Sequence, residues 1–177
     1  MVLAAIALPL LLAVAVAAIA IVARFGGIGA PPPPDVTPLV LAPIDAPDAT
    51  GPDCTALLAA LPGDLPGGDG PLPARPLADP VPPGVRAWAA APRPVVLRCG
   101  LPRPVELIPT SALLEINGVR WLRLDDGVPD PVVVTYVAVD RPVYVVLTTP
   151  TDAGSGPLQL VSDTIRTALP ATAVAVR

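Results

Sequence analysis

Few residues of this chain could do chemistry, and its two cysteines come first among them. Cys99 stands between Arg98 and Gly100 at the end of an apolar run, and Cys54 lies 45 positions earlier. A cysteine beside an arginine could be a nucleophile, a metal ligand or one half of a disulfide. The long spacing excludes a Cys-x-x-Cys redox pair, and two cysteines without a histidine cannot complete a four-ligand zinc site. We therefore predict a structural disulfide and no metal site.

The usual catalytic bases are missing from the sequence. The chain contains no histidine, and all 11 of its basic residues are arginine. Ser111, Ser155 and Ser162 could therefore be activated only by carboxylates. Asp125 and Asp126 precede a glycine, and we interpret them as a turn in preference to an acid/base or cation site. The sequence predicts a protein that is not an enzyme and that needs no cofactor.

Charge and aromatic content argue against nucleic acid as a partner. The formal net charge is -4, and aromatic residues make up 3% of the chain. Neutralising phosphates requires a basic patch, and binding single strands requires stacking rings. We expect other partners instead, namely membrane lipid at the N-terminus and a protein of the cell envelope.

Residues 2–23 form a run of 22 uncharged, mostly aliphatic residues. As a helix rising about 1.5 Å per residue, this run would cross about 30 Å of hydrocarbon. It is longer than the apolar stretch of a secretory signal, and Pro31 follows the nearest small-residue cleavage site directly. We predict a transmembrane signal anchor over residues 1–24 with the following domain outside the plasma membrane, where disulfides persist. Secretion after signal cleavage is the alternative.

The remainder of the chain divides into a linker and a folded domain. Residues 25–52 hold eight prolines, which favour an extended extracytoplasmic spacer, and residues 36–41 within it could pair as an edge strand. Residues 53–177 are predicted to form a small α+β domain held by the disulfide. Within this domain, residues 62–84 are rich in proline and glycine and are predicted to be loop.

The domain shows two helical patterns and a series of strand patterns. Asp53 is the predicted N-cap of a helix that ends at Leu61, and residues 156–169 predict an amphipathic second helix. Asn117-Gly118 is a strong hairpin signal, and Asp140-Arg141-Pro142 predicts a second tight connection. The predicted strands are Val85–Ala90, Pro94–Cys99, Leu113–Ile116, Val119–Leu124, Val132–Val139 and Val143–Thr149. We expect an antiparallel sheet of about five strands with both helices on one face, after one transmembrane helix.

Large and charged side chains on these elements are the candidates for an interaction surface. They are Trp88, Arg98, Arg120, Trp121, Asp140 and Arg141. We interpret both tryptophans as core anchors in preference to a ligand platform. Glu106 and Glu115 are expected to form surface ion pairs with Arg98, Arg103 or Arg120, each worth less than about 1 kcal/mol.

Several short motifs, taken in order, resemble a known family. They are Cys54–Pro62, Ala87-Trp88, Val96–Gly100, Ile116–Leu122 and Asp140–Val145. Together they look like an actinobacterial envelope family catalogued as a domain of unknown function, number three-five-one-five. The resemblance covers about residues 50–170, and this chain has Trp88–Pro92 as Trp-Ala-Ala-Ala-Pro where the family's Trp-Gly-Asp-Pro is expected.

The resemblance implies one N-terminal membrane segment or signal and an exported domain with two cysteines, and it implies no assigned activity. From it and from the residues we expect a non-enzymatic accessory or scaffold domain of an envelope or membrane complex. The alternative is a ligand-binding or weakly hydrolytic domain that uses Asp125, Asp126 and the neighbourhood of Trp88 and Arg98 on envelope glycan or lipid.

Overall fold

The computed structural model describes residues 12–22, 35–124 and 127–176 of the chain. Two compact units are present, Met1–Pro33 and Pro34–Arg177. In the first unit, residues 12–22 are helical, and large aliphatic side chains such as Leu12 and Ile19 are 68% and 69% exposed. Among the residues described, no helix combines the length and the apolar character that a membrane crossing requires. Residues 1–11 and 23–24 of the predicted anchor, and 25–34 of the predicted linker, lie outside the described residues.

The second unit is built on a six-stranded antiparallel sheet with the strand order β3-β4-β8-β7-β6-β5. A separate pair, β1 with β2, forms a two-stranded sheet. The strands are β1 (Leu65–Pro66), β2 (Pro71–Leu72), β3 (Val85–Trp88), β4 (Val95–Leu101), β5 (Leu113–Ile116), β6 (Val119–Leu124), β7 (Val133–Ala138) and β8 (Tyr144–Pro150). The helices are α1 (Pro52–Ala60) and α2 (Gly156–Ala168). The prediction of an α+β antiparallel domain is confirmed, with six strands in the main sheet where about five were expected.

Both predicted hairpins are present. Asn117 and Gly118 have φ angles of 49° and 77°, so both residues of the β5–β6 turn are left-handed, as a type I′ connection requires. Ile116 pairs with Val119 directly beside this turn. The Asp140-Arg141-Pro142 segment connects β7 to β8, which pair from Val133 with Pro150 to Ala138 with Val145.

Helices α1 and α2 cover one face of the sheet. Leu57 of α1 and Ile165 of α2 are fully buried in the same core cluster as Leu97, Trp121 and Val145 of the sheet. The opposite face has only a small second cluster, formed by Leu107, Leu122, Val137 and Val139. The disulfide and the helix layer therefore lie on one side of the sheet, and the other side is less covered.

Three local predictions are corrected. The N-cap of α1 is Gly51 and not Asp53, because Pro52 takes the first helical position and moves Asp53 into the first turn. Residues 36–41 form no strand beyond a single bridge between Leu39 and Leu77. The predicted loop at 62–84 contains β1, β2 and a bridge of Ala74 to Trp88, so it has regular pairing in spite of its prolines.

Candidate interaction surface

The predicted disulfide is present. Cys54 of α1 and Cys99 of β4 are bonded with their Cα atoms 5.6 Å apart, and both residues are fully buried. Neither cysteine is free, so neither can act as a nucleophile or a metal ligand in this state. The bond connects the helix layer to the sheet across 45 residues of chain.

Both tryptophans belong to the core. Trp88 is 1% exposed and Trp121 is fully buried. The indole Nε1–H of Trp121 donates to Ser162 Oγ at 2.9 Å, and its ring meets Tyr136 edge-on with centroids 6.5 Å apart. The interpretation as core anchors is confirmed, and neither ring has surface to offer a partner. The alternative function, which would use the neighbourhood of Trp88 on envelope glycan or lipid, gains no support from this placement.

Asp140 and Arg141 form a buried ion pair in the β7–β8 turn. Arg141 Nη1 lies 2.9 Å from Asp140 Oδ1, and Arg141 Nη2 donates to the carbonyl of Gly118 at 2.9 Å. The backbone of Asp140 accepts from Thr172 N–H. These contacts tie two hairpin turns and the C-terminal segment together, so the pair stabilises the fold and is not an exposed binding element.

The expected ion pairs of Glu106 and Glu115 do not form within the described part of the chain. Glu115 lies opposite Arg120 on paired strands, but their charged atoms are not within 4 Å. Arg103 instead donates to the carbonyls of Leu107 and Ala175, and so fastens the C-terminal segment to the loop after β4. The prediction placed Arg98 and Arg103 near carboxylates, whereas backbone carbonyls accept from both.

Arg98 is a half-buried cation on the sheet face opposite the helices. Its Cα lies between Val85 of β3 and Val146 of β8 in the strand register. Its Nη2 donates to the carbonyl of Ala42 at 3.3 Å, and none of the ion pairs among the described residues includes it. Burial lowers the pKa of Arg98 from its ordinary value, because desolvation disfavours the charged form.

The residues around Arg98 form a partly exposed strip of sheet, which we name the open face. It consists of Val96, Arg98, Thr135, Val146 and Thr148, all half-buried. The strand register places these residues side by side on β4, β8 and β7. The Thr135 and Thr148 hydroxyls are 3.0 Å apart and hydrogen-bond to each other. The open face thus combines aliphatic and hydroxyl groups with one cation that pairs with no carboxylate of the described residues.

The six residues that the sequence predicts as an interaction surface do not form one surface in the structure. Of these six, the structure keeps Arg98 on the open face and leaves Arg120 exposed on β6, and it buries the other four. The half-buried threonines were missed, and alternation along β7 and β8 is the signal that could have found them. Asp125 and Asp126 lie outside the described residues, and those that are described contain no group of three or more metal-ligating side chains.

The fold and the open face define a disulfide-bonded α+β domain with one sheet face partly uncovered. The model of a protein family of unknown function, DUF3515, matches residues 5–174, and the chain belongs to that family. No curated protein and no solved structure shows significant similarity to the chain.

Proposed function

We propose that this protein is a membrane-tethered, extracytoplasmic accessory or scaffold domain of a cell-envelope complex, without an enzymatic activity of its own. The observation that carries the proposal is the fully buried Cys54–Cys99 disulfide, because structural disulfides persist in oxidising compartments. The tether is supported by the uncharged run at residues 2–23 and by the exposed aliphatic side chains of helical residues 12–22. Lipid is the partner of this N-terminal segment.

The protein partner docks on the open face. A half-buried guanidinium loses part of its hydration, and without a carboxylate nearby this cost is only partly offset. A carboxylate from a partner would offset the remainder. The neighbouring aliphatic groups and threonine hydroxyls offer both apolar contact and hydrogen bonds. Arg98 is therefore the centre of the proposed contact.

Photo-crosslinking in native membranes tests this role. Benzoylphenylalanine placed at Thr148 of the full-length chain, on the open face with Arg98 left intact, is expected to give a reproducible heteromeric product, identified by mass spectrometry. The same residue placed at Arg166, an exposed position on α2, serves as the control and is expected to give no such product. Recovery of monomer alone at both positions, or of the same products from both, would contradict the proposal.

An Arg98→Met variant separates binding from folding. Methionine keeps an unbranched side chain at this half-buried position, so the free energy of unfolding should change by less than about 1 kcal/mol. Co-purification of the crosslinked partner with the variant should fall by at least about tenfold, which is the loss expected for one charge-assisted contact. Unchanged co-purification would remove Arg98 from the interface.

A further inference from the structure

The outer edge of β3 is covered along only part of its length. Residues 73–75 pair with its C-terminal end, where Ala89 N–H donates to the carbonyl of Pro73 and Arg75 N–H donates to that of Ala87, both at 2.8 Å. At Pro76 the chain leaves β3 and pairs instead with Leu39, whose N–H donates to the Pro76 carbonyl at 2.9 Å. A gap therefore opens beside the N-terminal end of β3.

This gap is a cavity of about 390 Å³, which we name the wedge. Val85, Ala87 and Trp88 of β3 line one side. The other sides are formed by residues 61–63, after α1, and by residues 74–77 with Val81. Val81 is 52% exposed at its rim, so the wedge opens to solvent, and its lining combines apolar side chains with the arginines at 75 and 86.

Unpaired backbone groups of β3 face the wedge. In an antiparallel strand, the N–H and C=O of one residue point to the same side, and those of alternate residues point the same way. The Ala87 carbonyl and the Ala89 N–H both point away from β4, so the N–H and C=O of Val85 do as well. Neither group of Val85 has a hydrogen-bond partner among the described residues. This is an open strand edge, to which another extended chain can pair.

The wedge also contains one cation without an ion pair. Arg75 is already engaged, because its guanidinium bonds Asp35 Oδ2 at 2.6 Å and the Thr37 carbonyl at 2.7 Å. Arg86 is exposed, and its Nη2 donates to the carbonyl of Leu58 at 3.5 Å. No carboxylate of the described residues lies within 4 Å of it. The free positive charge at the wedge is therefore that of Arg86.

We propose that the wedge binds a short, extended, acidic peptide segment of another protein, which pairs with the backbone of Val85 and places a carboxylate on Arg86. The segment lies beside Val85 and Arg86 and ends where Arg75 pairs with Ala87, so about two residues, or about 7 Å of strand, fill the site. A peptide fits because only a backbone satisfies both the donor and the acceptor of Val85, whereas an acyl chain satisfies neither. The proposed function enters this inference only in that the partner is a protein, and the wedge lies at the outer edge of β3, one strand away from Arg98 of the open face on β4.

The test uses the ¹⁵N-labelled full-length chain in detergent micelles and the peptide Ac-Val-Glu-Val-NH₂. On binding, the amide resonances of Val85 and Ala87 should shift and their hydrogen exchange should slow. Ac-Val-Lys-Val-NH₂ should bind at least about tenfold more weakly, because it brings a like charge to Arg86. The Glu peptide with all three of its residue nitrogens methylated should also bind at least about tenfold more weakly, since it keeps the carboxylate but loses the N–H that the Val85 carbonyl would accept.

An Arg86→Gln variant should bind the Glu and Lys peptides equally and should keep the slowed exchange at Val85. Arg93→Gln is the matched control, because Arg93 is exposed in the β3–β4 connection and does not line the wedge. It should retain the preference for Glu.

The proposal is overturned if the resonances of Val85 and Ala87 show no change at saturating peptide, or if the wild-type chain binds both peptides equally. It is also overturned if these resonances shift with protein concentration alone, because that result would assign the wedge to a second copy of the chain. None of these results would alter the crosslinking expected at Thr148 of the open face.

Discussion

Trp121 shows how one polar atom fixes a buried side chain in this core. Its Nε1–H has an acceptor in Ser162 Oγ, and that hydroxyl in turn donates to the Leu158 carbonyl at 2.6 Å. The chain of bonds joins β6 to α2 through the middle of the core. A buried indole without an acceptor would lose stability, so the serine on the helix explains why a tryptophan is tolerated there.

A Trp121→Phe substitution is therefore expected to lower the free energy of unfolding by about 2–4 kcal/mol, through the lost hydrogen bond and the smaller ring. Chemical denaturation of the purified chain measures it. Tyr136→Phe is the control, because it keeps the edge-on ring contact with Trp121 and should cost less than about 0.5 kcal/mol. A loss below about 1 kcal/mol for Trp121→Phe would contradict the structural role given to this bond.

Asp35 makes a pH-dependent contact at the start of the second unit. Its carboxylate accepts from the hydroxyl and N–H of Thr37 and from Arg75. The Thr37 hydroxyl bond first, and then the Thr37 N–H bond, hold the pKa of Asp35 below its ordinary value of 3.8. Because the pKa is lowered in the folded chain, the contact stabilises above 3.8 and is lost as the pH falls through the lowered value.

An NMR titration of the Asp35 carboxyl carbon should accordingly have its midpoint below 3.8. Thr37→Val removes the hydroxyl donor and should move that midpoint upward. In the same pH range, protonation should release the Arg75 guanidinium from Asp35. A midpoint at or above 3.8 in the wild-type chain would show that these bonds are absent in solution.

The backbone of β4 approaches the segment before α1 closely at Gly100. Gly100 has a φ of 85° and lies at a register shift in the β4–β8 pairing. Its carbonyl accepts from Asp48 N–H, and a Cβ built on it would lie 2.3 Å from the backbone nitrogen of Ala49. The bulge thus allows residues 48–49 to pack directly on the strand that carries Cys99.

Gly100→Ala should destabilise the domain by more than about 2 kcal/mol, because it adds both a backbone clash and an unfavourable positive φ. Gly63→Ala is the matched control, since a Cβ there meets nothing within 4 Å and the change should be within about 0.5 kcal/mol. Thermal unfolding of both variants makes the comparison. Equal stability of the two would place the Gly100 backbone further from Ala49 than the structure has it.

The strands of a hairpin could be predicted from the sequence, because the turn residues between them are a local pattern. The boundaries of β5 and β6 are the predicted ones, because Asn-Gly between apolar runs fixes both the turn and the register. The pairing of β4 with β8 was not predictable, since no short connection links strands 43 positions apart at Leu101 and Tyr144. The sheet order in turn decides which half-buried residues become neighbours on the open face, so that site could not be assembled from the sequence.

The disulfide is the covalent cross-link between the helix layer and the sheet. It closes 45 residues that include β1, β2, β3 and the wedge. On the chain-entropy estimate, closing a loop of this size stabilises by about 4 kcal/mol, against a total stability of about 5–15 kcal/mol for an ordinary domain. Much of the stability of this domain therefore depends on oxidation.

The double variant Cys54→Ala/Cys99→Ala should lose about 4 kcal/mol of unfolding free energy, measured by chemical denaturation under non-reducing conditions. Wild-type chain with a reducing agent is the control and should show a comparable loss. A variant as stable as the oxidised wild type would mean that packing of the fully buried sites, and not the covalent link, carries the stability.

The proposed extracytoplasmic location makes a prediction about the same bond, because a chain facing a reducing cytosol would have free thiols. Membranes isolated from the native host and treated at once with an alkylating reagent under denaturing conditions should yield full-length chain without an added mass. After reduction, the same sample should carry two adducts, one for each cysteine. The Cys54→Ala variant is the control, since its single thiol at Cys99 should be labelled without reduction. Two adducts on the wild-type chain before reduction would place the domain on the reducing side of the membrane, and the proposed extracytoplasmic role would then be wrong even if the fold were as described.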